Sequence, residues 1–111
     1  MSGIPNLNML YEDKTGIVAC HVWDGKCVIH SELYNKEPTM DDLKVAKEIS
    51  DGIDQAFKEK GITKLYTWAE TPIQDRYNKF LGYKATGKLV NSTFNDADYP
   101  NEVREYEKEL V

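Results

Sequence analysis

The sequence predicts an α+β fold in which two helices pack on a mixed, mainly antiparallel β-sheet. Three observations indicate this fold class. Two apolar, β-branched runs flank Asp24-Gly25, a pair that favours a tight hairpin turn. One long stretch after Thr39 carries apolar residues at spacings of three and four, as an amphipathic helix does. Short strand-like segments, separated by glycine and proline, fill the rest of the chain. At 111 residues, we expect a single domain, 1–111.

The strands of the first half are predicted by "NMLYEDKTGI" and "GIVACHVWDGKCVIHSELY". The first segment reads as a strand with a turn near Lys14-Thr15-Gly16. The second reads as two strands whose turn sets the pairs Trp23–Lys26, Val22–Cys27 and Cys20–Ile29. Because side chains alternate along a strand, five of them share the face that we expect in the core: Val18, Cys20, Val22, Cys27 and Ile29.

The other face of this hairpin carries His21, His30 and Glu32. His21 opposes Val28, which makes the two histidines diagonal neighbours at roughly 7–8 Å. We therefore predict surface or half-buried histidines and no metal site. The two thiols, Cys20 and Cys27, are also diagonal, and we expect them to pack in the core rather than form a disulfide.

The long helix is predicted by "TMDDLKVAKEISDGIDQAFKEKG". Its apolar positions recur at helical spacing: Leu43, Ala46, Ile49, Ile53, Ala56 and Phe57. Thr39 followed three residues later by Asp42 resembles a capping box, with Asp in place of the usual Glu. Gly61 stands where a helix stop belongs.

The second half continues with the strand "ITKLYTWAE" and the short helix "PIQDRYNKFLG", which has Pro72 in its first turn and Gly82 at its end. Two further strands, "YKATGKLV" and "EVREYEKELV", enclose the polar loop "NSTFNDADYPN". The predicted order of elements is therefore β-β-β-α-β-α-β-β.

Composition narrows the function classes. The formal net charge of -5 disfavours nucleic acid as a partner, because like charges repel the phosphate backbone. No apolar run approaches the roughly 18 residues that span a bilayer, so no membrane partner is expected. The start "MSGIPNLNML" lacks the features of a secretory signal. Together with two unpaired cysteines, this predicts a soluble protein in the cytoplasm.

The sequence resembles the GNAT family of N-acetyltransferases in its order of elements and in three segments. These segments are "ITKLYTWAET" before a short helix, "RYNKFLGYKATG", and the terminal "REYEKEL". The resemblance runs from roughly Leu10 to Leu110 and implies the GNAT fold. Relative to the family, the chain is diverged and N-terminally reduced, because the family's first strand and the two helices after it have no counterpart in the sequence. The chain is similar in this respect to small GNAT-like proteins of tailed phages, of the podovirus internal virion protein type, and this similarity implies the host cytoplasm or the virion as its location.

The resemblance implies a site for the acetyl-CoA pyrophosphate at the start of the long helix, on a Gln/Arg-x-x-Gly-x-Gly/Ala loop. An ungapped match from Gly61 maps that loop onto residues 41–46. Only Ala46 fits. Asp41 stands at the basic position and Lys44 at the main glycine. Asp41 and Asp42 would repel a pyrophosphate in the first turn of the helix.

The family's tyrosine, which protonates the leaving thiolate, maps by spacing from Gly82 onto Asn78 rather than Tyr77. One residue on a helix is about 100° of rotation, so Tyr77 is expected to point elsewhere. An asparagine donates a hydrogen bond but cannot be a general acid. His30 or Glu32 is placed as a candidate base for an amine. The backbone of residues 31–33, with Ser31 and Leu33, and of residues 66–69 corresponds to the strands that hold the pantetheine arm.

Two hypotheses from different classes follow. The first is a degenerate GNAT-like domain without a cofactor, acting as a non-catalytic interaction or assembly module with a protein partner or as a homo-oligomer, in a phage particle. The open edge left by the missing first strand favours such pairing. The alternative is an acetyl-CoA-dependent N-acetyltransferase with an atypical phosphate loop. The sequence identifies neither an acceptor substrate nor a particular partner.

Overall fold

The computed structural model describes residues 7–91 and 102–110 and confirms the predicted fold class and order of elements. The eight elements are β1 Asn8–Glu12, β2 Gly16–Trp23, β3 Lys26–Leu33, α1 Met40–Glu59, β4 Lys64–Ala69, α2 Pro72–Phe80, β5 Lys84–Asn91 and β6 Glu102–Glu109. The strands form one sheet in the order β1-β2-β3-β4-β6-β5, in which only the β3–β4 pair is parallel. The predicted polar loop between β5 and β6 lies outside the described residues.

The β2–β3 hairpin has the predicted register. Asp24 and Gly25 both have positive φ, 51° and 74°, as a two-residue turn of this kind requires. The aligned pairs include Trp23–Lys26, Val22–Cys27 and Cys20–Ile29. The prediction for Val22 is wrong, because its side chain is 73% exposed. Val22 is next to the turn, at the end of the hairpin, where alternation alone does not guarantee cover from the rest of the fold.

The sheet buries side chains on both of its faces. On the face that packs against the helices, which we call the helix face, lies the main core cluster: Ile29, Leu65, Ala69, Leu81, Tyr83 and Tyr106. Both cysteines pack against this cluster as predicted and are free thiols. On the opposite face, which we call the second face, Ala19, His21 and Val28 are buried as well. The strands of the hairpin are therefore covered on both sides, which a simple alternating pattern does not indicate.

Helix α1 begins as predicted and packs more loosely than its pattern suggests. The capping box is present: the Thr39 hydroxyl accepts from the Asp42 amide, and the Asp42 carboxylate accepts from the Thr39 amide. The helix contains no fully buried residue, although Phe57 packs on the core and Lys108 binds Asp54 at 2.6 Å. No helix in residues 7–91 and 102–110 is long and apolar enough to cross a membrane.

The Asp75 carboxylate anchors helix α2 to β6 of the sheet. Asp75 accepts two hydrogen bonds from the Arg104 guanidinium, at 2.9 and 2.8 Å, and a third from the Tyr106 hydroxyl at 2.8 Å. The hydrogen bonds from Arg104 lower the pKa of Asp75, so the carboxylate is ionised at neutral pH. The chain then turns at Gly82, which has a φ of 96°. The Asp75 anchor fixes which face of α2 lies against β3 and β4.

Gly16, at the start of β2, is required by a close backbone approach. A Cβ atom placed there would lie 2.3 Å from the Glu32 carbonyl oxygen of β3. We expect Gly16→Ala to lower the free energy of unfolding by about 1.5 kcal/mol, because the backbone of the paired strand must shift. Urea denaturation of both proteins measures the change. Gly52→Ala, in the open part of α1, is the matched control and should be neutral or stabilising by up to about 1 kcal/mol. Equal effects at the two glycines would contradict this explanation.

Candidate functional site

The candidate site is the gap between the two parallel strands β3 and β4. Their alignment is limited to the pair Val28–Tyr66, whereas β4 pairs with β6 along its whole length. Beyond this pair, toward the carboxyl ends of the two strands and next to α2, the described residues form no further aligned pair between β3 and β4. Residues 31–33 and 66–69 border this gap. The family resemblance assigns the same residues to the pantetheine arm.

Side chains of the protein itself bond to the backbone on both sides of the gap. The Thr67 hydroxyl, on β4, donates to the Ile29 carbonyl of β3 at 2.7 Å. The Asn78 amide, on α2, donates to the Trp68 carbonyl of β4 at 3.3 Å. Thr67 and Asn78 are both buried, at 7% and 5% exposure. Buried carbonyls need partners, and these two carbonyls have partners within the domain.

Tyr77 reaches the opposite border of the same gap. Its hydroxyl lies 2.9 Å from the Ser31 hydroxyl of β3. Burial raises the pKa of Tyr77, which keeps the phenol protonated at neutral pH. Neighbouring residues of α2 thus contact different strands: Tyr77 contacts β3 and Asn78 contacts β4. Both side chains lie on the helix face. The spacing from Gly82 predicts only Asn78 at the position of the family's acid.

The start of α1 carries negative charge and is already capped. Its amide at Asp42 donates to the Thr39 hydroxyl at 3.1 Å, and the Asp42 carboxylate is bound to the Thr39 amide at 3.0 Å. Asp41 and Lys44 are exposed, and Ala46 is half-buried. Two carboxylates in the first turn complement the helix dipole, so the usual attraction of this helix end for an anion is offset.

The histidines lie on the second face, away from Tyr77 and Asn78. Because Ser31 faces Tyr77, the adjacent His30 points to the other side of the sheet. The diagonal register of His21 and His30 is confirmed, but their ring nitrogens meet at 2.9 Å, and His21 is 2% exposed rather than half-buried. Burial lowers the pKa of His21, and burial together with His21 lowers the pKa of His30 to about 3.

The predicted catalytic residues are therefore divided between the two faces of the sheet. Tyr77 and Asn78 border the gap on the helix face, His30 packs against His21 and Trp68 on the second face, and Glu32 is exposed on β3. Nor does the described part of the chain hold three His, Cys, Asp or Glu side chains grouped as metal ligands. The thiols are poor nucleophiles, because burial raises the pKa of both and that of Cys27 to about 11.

Sequence reasoning missed Thr67 and the contact between Ser31 and Tyr77. A signal for Thr67 was present, since it is the one polar residue among the alternate positions Leu65, Thr67 and Ala69 of the predicted strand. A hydroxyl at such a position must bond to a nearby backbone group or another side chain. The contact of Tyr77 depends on how α2 lies on the sheet, and no local pattern encodes that.

Comparisons with known proteins support the fold. No protein-family model matches the sequence, and no curated protein matches it. Among solved structures, an acetyltransferase of the GNAT family from Bacillus anthracis superimposes with a TM-score of 0.61 at 13% sequence identity. The alignment covers 86% of this chain and 58% of that acetyltransferase, so the chain spans little more than half of its length. At this level of identity the similarity concerns the fold alone: the chain has a GNAT-like α+β fold.

Proposed function

We propose that the chain is a GNAT-like domain that does not use acetyl-CoA and serves as an interaction or assembly module. The observation that carries the proposal is the pair of side-chain bonds to the backbone on the two sides of the β3–β4 gap. Thr67 and Asn78 bind the carbonyls of Ile29 and Trp68, which border the place where the family resemblance puts the pantetheine arm. A bound arm would have to displace partners that are themselves buried, and each displaced group would lose a hydrogen bond worth roughly 1 kcal/mol.

The start of α1 supports the same proposal. Acetyl-CoA brings a pyrophosphate, which needs free amides and positive charge. Here Asp41 and Asp42 occupy the first helical turn, and the capping box uses the Asp42 amide. Lys44 supplies one cation against two carboxylates, on a side chain where a glycine would allow close approach. The residues present therefore do not fit the cofactor, and we assign no step of acetyl transfer to them.

The setting that we propose for this module is a phage particle. This part of the proposal rests on the resemblance of the element order and of "RYNKFLGYKATG" to small GNAT-like proteins of tailed phages. A structural protein of a particle needs a stable fold and an exposed recognition surface rather than a reactive centre. Several large apolar side chains are exposed on the described residues, among them Met9, Val22, Met40, Ile73 and Leu89.

One observation favours a second candidate, an acetyl-CoA-dependent N-acetyltransferase with an atypical loop. The described residues of β3 and β4 are aligned at a single pair, as the pantetheine site requires, and the Tyr77 hydroxyl borders the gap beside it as a protonated phenol. A tyrosine there has the chemistry of a general acid. This candidate requires the Thr67–Ile29 and Asn78–Trp68 bonds to open when the cofactor enters, and the Tyr77 hydroxyl to leave Ser31.

A ligand-induced shift of the melting temperature separates the two candidates. Any ligand that binds only the folded state stabilises it, so acetyl-CoA at about 100 times its Kd adds roughly 2.7 kcal/mol. We expect no shift with acetyl-CoA at millimolar concentration. If a shift appears, Asp41→Arg should enlarge it, because the change replaces repulsion of the pyrophosphate by attraction. A shift that Asp41→Arg reduces would mean that the loop lies elsewhere.

A further inference from the structure

A groove between α1 and the strands β1–β3 is lined by apolar side chains that the fold leaves partly uncovered. We call it the α1–β1 groove, and its lining includes Tyr11, Val18, Leu33, Val45, Ala46 and Ile49, together with Tyr77, which also borders the β3–β4 gap. Tyr11 and Val45 are each 39% exposed, and no residue of α1 is fully buried. An amphipathic helix normally buries its apolar stripe, so this groove retains apolar surface that a further segment can cover.

The neighbouring edge of the sheet is poorly suited to pairing with another strand. The register of β1 against β2 shifts between Met9 and Tyr11, so Leu10 is an extra residue in the strand. Such a bulge on an edge strand disturbs the ladder that an added strand would need. The side chains of the groove, rather than the backbone of β1, are therefore the surface available for recognition.

The helix side of the groove is acidic. Val45 has Asp41, Asp42 and Glu48 as neighbours on the surface of α1, at four and three residues before it and three after it. On the same segment Lys47 is paired with Asp51, which leaves Lys44 as the remaining cation beside Val45. Carboxylates thus outnumber free cations along this border.

The strand side of the groove carries a further carboxylate. Asp13 lines it, and hydrogen bonds from the Tyr11 hydroxyl and from the amides of Thr15 and Gly16 lower its pKa. Asp13 is therefore ionised at neutral pH. Carboxylates border the apolar strip on both sides, with Lys14 beside Asp13 and Lys44 beside Val45 as the nearby lysines, and this mainly negative border complements a basic amphipathic segment.

We propose that the α1–β1 groove docks a basic amphipathic helix of a partner protein, with its apolar side chains against Val45 and Ile49 and its lysines or arginines toward the carboxylates. The inference deepens the proposed function and rests on it, since it names the class of partner that the interaction module recognises. A second copy of this chain is the less suitable occupant, because its net charge of -5 adds repulsion.

The test is a nuclear magnetic resonance titration of the full chain with a synthetic amphipathic peptide, with leucines at helical spacing and lysines between them. We expect saturable shifts of the Tyr11, Val45 and Ile49 amide signals and binding that weakens as salt is added. Val45→Lys should weaken binding by about tenfold. The matched control Val22→Lys, at a site 73% exposed on the hairpin, should leave it within about twofold.

Four outcomes would overturn the inference: no saturable shifts, shifts remote from the groove, equal binding of a peptide with glutamates in place of the lysines, or equal effects of Val45→Lys and Val22→Lys. Sedimentation velocity adds a fifth, a dimer that Val45→Lys dissociates, which would assign the groove to a second copy. The proposed function fails by a different result, acetyl-CoA binding, so the two failures are distinguishable.

Discussion

Lowering the pH from about 7.5 to about 5 is expected to reduce the free energy of unfolding by about 2 kcal/mol through His30 alone. The pKa of His30 falls to about 3 in the folded protein because the ring is buried against His21. In the unfolded chain it returns to about 6.5. Below that pH the unfolded chain binds a proton that the folded chain does not, so stability is complete above about pH 6.5 and is lost progressively toward pH 3.

His21 adds to this effect in the same direction, because burial lowers its pKa too. One ring nitrogen must already donate to the other across the 2.9 Å contact, so an additional proton has to go to an outer nitrogen. The rings stack at 4.8 Å with the edge of Trp68 beside both, an apolar setting that penalises a cation. The Glu105–Lys26 ion pair lies on the same face, and the hydrogen bonds from Arg104 lower the pKa of Asp75.

Urea denaturation at a series of pH values measures how the free energy of unfolding depends on pH. In His30→Gln, the decrease in the free energy of unfolding between about pH 7.5 and pH 5 should be smaller by about 2 kcal/mol, because the imidazole responsible for it is absent. Comparing slopes removes any constant loss of stability caused by the substitution itself. A flat profile in the wild-type chain over this range would contradict the burial of the pair.

Lys26→Met is expected to lower the free energy of unfolding by about 3 kcal/mol. The Lys26 ammonium lies 3.0 Å from the Glu105 carboxylate, which is 4% exposed, and 4.9 Å from the centre of the Tyr66 ring. The substitution keeps the aliphatic stem but leaves a buried carboxylate without its cation. Such an unpaired charge is far less favourable than a neutral pair of similar volume.

The double variant Lys26→Met/Glu105→Gln identifies the cause. Neutralising the carboxylate should recover most of the lost stability, and a double-mutant cycle analysed from urea denaturation gives the coupling. Lys47→Met is the matched control, since its partner Asp51 is exposed, and should change stability by less than about 0.5 kcal/mol. If Lys26→Met and Lys47→Met have equal effects, burial of Glu105 is not what makes the pair important.

Local patterns predicted the elements of this fold well. Asp24-Gly25 fixed the hairpin register, because positive φ at both turn residues leaves one pairing. Thr39 and Asp42 marked the first turn of α1, because their side chains bond to the amides that any helix start leaves free. The order of elements then favoured a GNAT-like sheet, and the solved acetyltransferase confirms that fold at 13% identity.

Properties that depend on packing between distant elements were not predictable in this way. Val22 follows the alternation of the hairpin but is exposed, and His21 breaks the expected polar face by being buried. The contacts across the β3–β4 gap join Thr67 to Ile29 and Asn78 to Trp68. The Asn78 bond requires α2 in a particular position on the sheet, which its anchor at Asp75 supplies and no short motif reveals.

The central claim is that this GNAT-like fold does not bind the cofactor of the acetyltransferases. Isothermal titration calorimetry of the full chain with acetyl-CoA tests it most directly, at protein concentrations high enough to detect a Kd of about 1 mM. We expect no heat beyond that of dilution. Asp41 and Asp42 occupy the start of α1, and Thr67 and Asn78 bind the backbone on the borders of the gap. Saturable binding with a low-micromolar Kd would contradict it.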